Sequence, residues 1–87
     1  MNKYERIPGQ VIDLHGLTRQ GVRELLDVLV REPKHAHVRV IAGKGRHSEN
    51  GPVLQDFVRD YLRAHRIRFS QSKIADGGEG AFEVFLK

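Results

Sequence analysis

At 87 residues, 39% hydrophobic and 30% charged, the chain has the size and balance of one globular domain rather than of a disordered tail. It contains no cysteine, which removes disulfides and thiolate metal sites, and no apolar run near the ~20 residues of a membrane-spanning helix. Fifteen Lys and Arg against 11 Asp and Glu give a formal charge of +4, an excess that attracts polyanions through long-range fields and counterion release.

Residues 1–10 are polar, carry a Pro8-Gly9 turn signal and lack a signal-peptide core; they are expected to form a lead-in to a single domain over residues 11–87. With the missing cysteines, this fits a cytoplasmic protein with no membrane association. Residues 11–14 read as a first strand ended by Gly16, and Thr18 is placed to cap the next element. From 19 to 31, Val22, Leu25, Leu26, Leu29 and Val30 recur at helical spacing, opposite a polar face on which Arg23 and Asp27 can pair. Glu32-Pro33 stops this helix, because the residue before proline is pushed out of the α region. His35 and His37 fall in a Pro-Lys-His-Ala-His connection and are expected to be solvated.

Residues 38–42 form a β-branched second strand, followed by a loop, residues 43–51, holding three glycines and two long cations. Pro52 suits the first position of a second helix, whose apolar stripe is Val53, Leu54, Phe57, Val58, Tyr61 and Leu62. Gln55, Asp56, Arg59, Asp60 and Arg63 fall on its wet face, and His65 sits in its last turn, where a cation meets the helix dipole favourably. Residues 66–71 and 81–86 alternate as strands, joined by Asp76-Gly77-Gly78-Glu79-Gly80 into a hairpin. The order β-α-β-α-β-β predicts an α/β two-layer sandwich: a four-stranded mixed sheet, its last strand antiparallel, with two helices on one face.

In such sheets ligands gather beyond the carboxyl ends of the parallel strands. That edge receives two unusual loops. One is Asp13-Leu14-His15-Gly16, where strand alternation turns a carboxylate and an imidazole the same way. The bland reading of these four residues is a strand end with a surface histidine. The other is Gly43-Lys44-Gly45-Arg46-His47-Ser48, whose glycines let backbone N–H groups approach an anion while Lys44 and Arg46 add charge. A phosphate is the natural guest. The spacing is not that of a P-loop.

Taken in order, Asp13-Leu14-His15-Gly16, Gly43-Lys44-Gly45 and Gly77-Gly78-Glu79-Gly80 before a Val84-containing strand resemble the Smr, or small MutS-related, domain over nearly the whole chain. The resemblance implies a fold like the C-terminal domain of bacterial translation initiation factor three, and an endonuclease that nicks DNA or cleaves RNA. It carries Asp13 and His15 over as the active-site pair, with Gly16 shaping the turn beside the phosphate. Gly43, Lys44 and Gly45 carry over as the phosphate-contacting loop, which Arg46 extends. Family members often place His or Thr before the Gly-x-Gly, where this chain has Ala42; His47 is the candidate substitute.

Histidine, with an ordinary pKa near ~6.5, suits proton transfer at neutral pH. On RNA, His15 or His47 could take the 2′-hydroxyl proton with no cofactor. On DNA a water nucleophile is required, and a divalent ion (Mg or Mn) held by Asp13 is the alternative. Arg59, Arg63, Arg66 and Arg68 form either a solvated face or a track along a nucleic-acid backbone. The rival function is a non-catalytic nucleic-acid- or ribosome-binding module, in which Asp13 and His15 serve only loop geometry. A monomer is expected in either case.

Overall fold

The computed structural model describes residues 7–43, 53–72 and 80–86. Lys44, Gly45, Arg46, His47, Ser48, Pro52 and the Gly77-Gly78-Glu79 turn lie outside the described residues. Alternating apolar residues in short segments, and helical stripes in two longer ones, yield β1 (Gln10–Asp13), α1 (Arg19–Arg31), β2 (His37–Ile41), α2 (Val53–Ala64), β3 (Arg68–Gln71) and β4 (Ala81–Phe85). None of the described helices is long and apolar enough to cross a membrane.

Helix α1 begins where Thr18, in extended conformation, accepts the Gly21 N–H on its hydroxyl at 3.1 Å, satisfying one of the free donors of the first turn. It ends where the Glu32 N–H reaches the Val28 carbonyl, immediately before Pro33. Val22, Leu26 and Leu29 turn inward and meet Val58, Tyr61 and Leu62 of α2. Both helices lie over the sheet face built from Leu14, Val38, Val40, Phe82 and Val84. Tyr61 is buried, as its place in the stripe requires, and its hydroxyl donates to Asp27 of α1 at 2.5 Å. Burial, and then the Asp27 carboxylate beside it, push the phenol up to about 12. Asp27 is therefore engaged across the helix pair rather than with Arg23, whose guanidinium lies 5.8 Å from the Phe57 ring centroid.

The sheet order is β1-β2-β4-β3. β1 and β2 are parallel neighbours, with Asp13 opposite Ile41, and β4 runs antiparallel to both β2 and β3. The last two strands do form the expected hairpin. β2 and β3 run parallel without being neighbours, because β4 folds back between them. That position gives the most apolar strand a hydrogen-bonded partner on each side, and Ala81, Phe82, Glu83 and Val84 are all buried.

The sheet face opposite the helices carries charge. Glu83 is 4% exposed and lies in register with Arg39 on one side and Ser70 on the other. His37 Nε2 lies 2.5 Å from its Oε1, while Arg39 Nε and the Ser72 hydroxyl donate to Oε2 at 2.7 and 2.6 Å. Burial alone raises a carboxyl group, but the Ser72, Arg39 and His37 hydrogen bonds outweigh it and hold Glu83 below its usual range. The expectation that His37 is a solvated loop residue is thereby corrected. β2 begins one residue earlier than periodicity indicates, and its first side chain packs on Phe85 with ring centroids 4.9 Å apart.

Candidate active site

The chain leaves β1 at Asp13 and turns at once. Leu14 is fully buried and donates its N–H to the Ile41 carbonyl, which ties the strand end to β2. The Leu17 N–H returns to the Leu14 carbonyl at 3.0 Å, closing a β-turn over residues 14–17. Gly16 takes its third position at φ 83°, a left-handed value that favours glycine there. An apolar anchor at Leu14 and a permissive glycine at 16 thus present His15 to solvent between them.

Asp13 and His15 are both exposed, but they meet differently from a strand pair. The His15 backbone N–H donates to Asp13 Oδ1 at 2.9 Å, an Asx turn in which the carboxylate fixes the loop. Strand alternation stops at Asp13, so the imidazole orientation follows the turn and not the sheet pleat. Among the described residues the His15 ring has no hydrogen-bond partner, which leaves it available to an incoming group. A carboxylate accepts several hydrogen bonds, so the Asx turn does not exhaust Asp13.

The second loop starts from the same edge. Ala42 and Gly43 both donate their N–H groups to the Gly80 carbonyl, at 2.8 and 3.0 Å, and Gly43 adopts φ 84°. The Gly43 amide expected to cradle a phosphate is consequently occupied. What Gly43 contributes is the left-handed turn that directs the chain into residues 44–48. Gly80, immediately before β4, holds both amides where β2 ends.

Helical periodicity puts Gln55 on the wet face of α2, yet the residue is only 7% exposed. Its side-chain amide donates to the Gly43 carbonyl at 2.8 Å, tying the first turn of α2 to the end of β2. The helical period places Gln55 beside Leu54, at the margin of the apolar stripe, and only the fold supplies the carbonyl it serves. Gln55→Ala is expected to remove this tie and cost about 0.5–1.5 kcal/mol in thermal or urea unfolding. Unchanged stability would contradict the assignment.

The four arginines do not form one track. Arg59 lies on the helix side, 5.7 Å from the Phe82 ring centroid, and bonds Asp56 at 2.9 Å. Arg68 lies on the opposite sheet face, 5.0 Å from the Phe85 ring centroid. Arg63 and Arg66 are exposed where α2 ends. His65 stacks on Tyr61 with centroids 4.0 Å apart and its Nδ1 lies 2.9 Å from the Tyr61 carbonyl, which makes it part of that helix end. Among the described residues no group of three or more His, Asp or Glu side chains converges as metal ligands do.

A two-layer α/β sandwich with a carboxylate, a histidine and the Gly43 turn at the carboxyl edge of its parallel strands defines a class of small domains. Residues 12–87 match the Smr domain family, and the chain belongs to it. The chain superposes on the Smr domain of Thermus thermophilus MutS2 with a TM-score of 0.75 at 26% identity, covering 90% of this chain and 98% of that one. For the human small-MutS related domain the TM-score is 0.61 at 33% identity, covering 87% and 99%. Its sequence is 36% identical to an uncharacterised protein of Treponema pallidum (strain Nichols), over 93% of this chain and 43% of that one. It is 27% identical to ribosome rescue factor SmrB of Tolumonas auensis, over 100% and 50%. The chain thus spans half or less of the length of these two relatives.

Proposed function

We propose that this domain is an endonuclease cutting single-stranded RNA at the edge where the Asp13-His15 turn meets the Gly43 loop. The supporting observation is that hydrogen bonds hold the Asp13-His15 turn and Gly43, the first residue of the basic loop, at one sheet edge: Leu14 to Ile41, Gly43 to Gly80, and Gln55 to Gly43. Lys44, Gly45 and Arg46 hold the phosphate, and positive groups there stabilise charge that builds on its oxygens. His15, or His47 in the role that Ala42 leaves empty, takes the 2′-hydroxyl proton. The 2′-oxygen then attacks phosphorus, the bond to the 5′-oxygen breaks, and that oxygen leaves with the proton returned by the imidazolium or supplied by water. The products are a 2′,3′-cyclic phosphate and a 5′-hydroxyl. Asp13 holds the His15 turn and favours the imidazolium as it forms. A ribosome-associated, cytoplasmic role is the biological setting proposed from the name of the Tolumonas relative.

One observation favours the rival reading as a binding module: Asp13 already has a structural task in the Asx turn. Purified protein incubated with labelled single-stranded RNA, duplex DNA and branched DNA separates the possibilities. Cyclic-phosphate ends on RNA, formed equally with chelator, are expected. Products ending in 5′-phosphate that vanish with chelator would replace the scheme with metal-assisted hydrolysis by way of Asp13.

A further inference from the structure

The end of the sheet opposite the candidate active edge carries its own pocket, of about 270 Å³, lined by Val30, Arg66, Ile67, Arg68, Phe85 and Leu86. Four apolar side chains form its walls, and both its charged groups are guanidinium ions. Arg66 holds a costly conformation there. It has φ 58°, the one positive value at a non-glycine residue among the described residues.

The cause is local. The Ile67 N–H bonds the Leu62 carbonyl and the Arg66 N–H bonds the Arg63 carbonyl, the paired closure of a Schellman motif that ends α2. That motif places its left-handed residue where glycine is favoured, because a Cβ there crowds the backbone. Here the position carries a long cation at the lip of an apolar pocket. Strain retained at a surface turn points to a task for the side chain.

Beside it, His37, Phe85 and Arg68 stand in one row across three strands. His37 stacks on Phe85, and the Arg68 guanidinium lies 5.0 Å from the Phe85 ring centroid. Guanidinium planes and aromatic rings are the platforms on which unpaired bases stack. Below the 300–1,000 Å³ of drug-sized sites, the pocket suits a single nucleotide unit. From His37 to Ile41, the partner of Asp13, β2 rises about 13 Å, a few nucleotides' length at ~3.4 Å per stacked step.

We propose that this pocket is an accessory subsite for single-stranded nucleic acid, in which a base stacks on the Arg68 guanidinium that Phe85 backs and its phosphate pairs with Arg66, a few nucleotides from the bond at the Asp13 edge. The subsite rests on the reading of the domain as one that binds nucleic acid. It makes the open sheet face the surface that aligns the strand, and it explains why the four arginines divide.

The test pairs stability with binding for Arg66→Gly, which removes the charge and suits the backbone. Its Tm is expected to rise by a few degrees, while affinity for a fluorescent single-stranded RNA falls and the salt slope shrinks by about 0.7. Arg68→Ala should weaken the same RNA about 5- to 100-fold. RNA binding unchanged in both variants, beside a wild type that binds, overturns the subsite alone. A lowered Tm for Arg66→Gly with binding unchanged gives Arg66 a structural role and also overturns it. A wild type that binds no nucleic acid removes the underlying functional reading as well.

Discussion

Glu83→Ala is expected to lower the midpoint of thermal unfolding by more than ~12 °C. Breaking a buried ion pair by removing one partner costs about 3–5 kcal/mol, because the other charge is left unpaired. In a domain of this size each kcal/mol moves Tm by about 4–8 °C. Here the truncation removes the one carboxylate that His37, Arg39 and the Ser72 hydroxyl all meet. The pH dependence has a defined sign. Glu83 is held below its ordinary value of 4.5 in the folded state, so its contribution is present above that value. It is lost as pH falls through the lower, folded-state value. Acid unfolding of Glu83→Gln should lack this component. A Glu83→Ala variant with unchanged Tm would show that the cluster makes no net contribution.

The second large effect concerns Asp13 and His15. His15 is exposed and unbonded at its ring among the described residues, so His15→Ala should fold normally and lose cleavage by ~10²–10⁴-fold, the range of a general base. Asp13 has one observed task, the Asx turn, and one proposed in the chemistry, and two variants divide them. Asp13→Asn keeps an oxygen for the His15 N–H and removes only the charge. Asp13→Ala removes the Asx turn as well, at about 0.5–1.5 kcal/mol of stability. If the charge matters to chemistry, Asn and Ala variants lose activity alike while only Ala loses stability. Full activity in Asp13→Asn would reduce Asp13 to loop geometry.

Much of this architecture is legible in the chain itself. The α1 stripe, its Thr18 cap and the Pro33 stop locate that helix to the residue, because each signal is local. The strand order is not legible: insertion of β4 between β2 and β3 depends on tertiary pairing. The charged face escapes sequence reading for the same reason. Glu83 reads as the outward residue of an alternating strand, and only β4's central position buries it and brings His37, Arg39 and Ser72 to it. His37 looks like part of a polar connection because Pro33, Lys34 and His35 surround it, although Val38 and Val40 already set its face. Gln55 is misplaced by pattern alone because helical periodicity reports neither a distant carbonyl nor the Gly43 turn that presents it. At the candidate site, residue types and spacing place Asp13, His15 and Gly16 correctly at the edge. The Asx turn between the first two cannot be read, since alternation holds only while the strand continues.

The most direct measurement is cleavage of an end-labelled single-stranded RNA by wild type and by Asp13→Ala/His15→Ala, with binding followed in parallel. At least a hundredfold loss of cleavage with binding retained is the predicted result. Equal cleavage by the two proteins at equal binding would contradict an active site at the Asp13 edge.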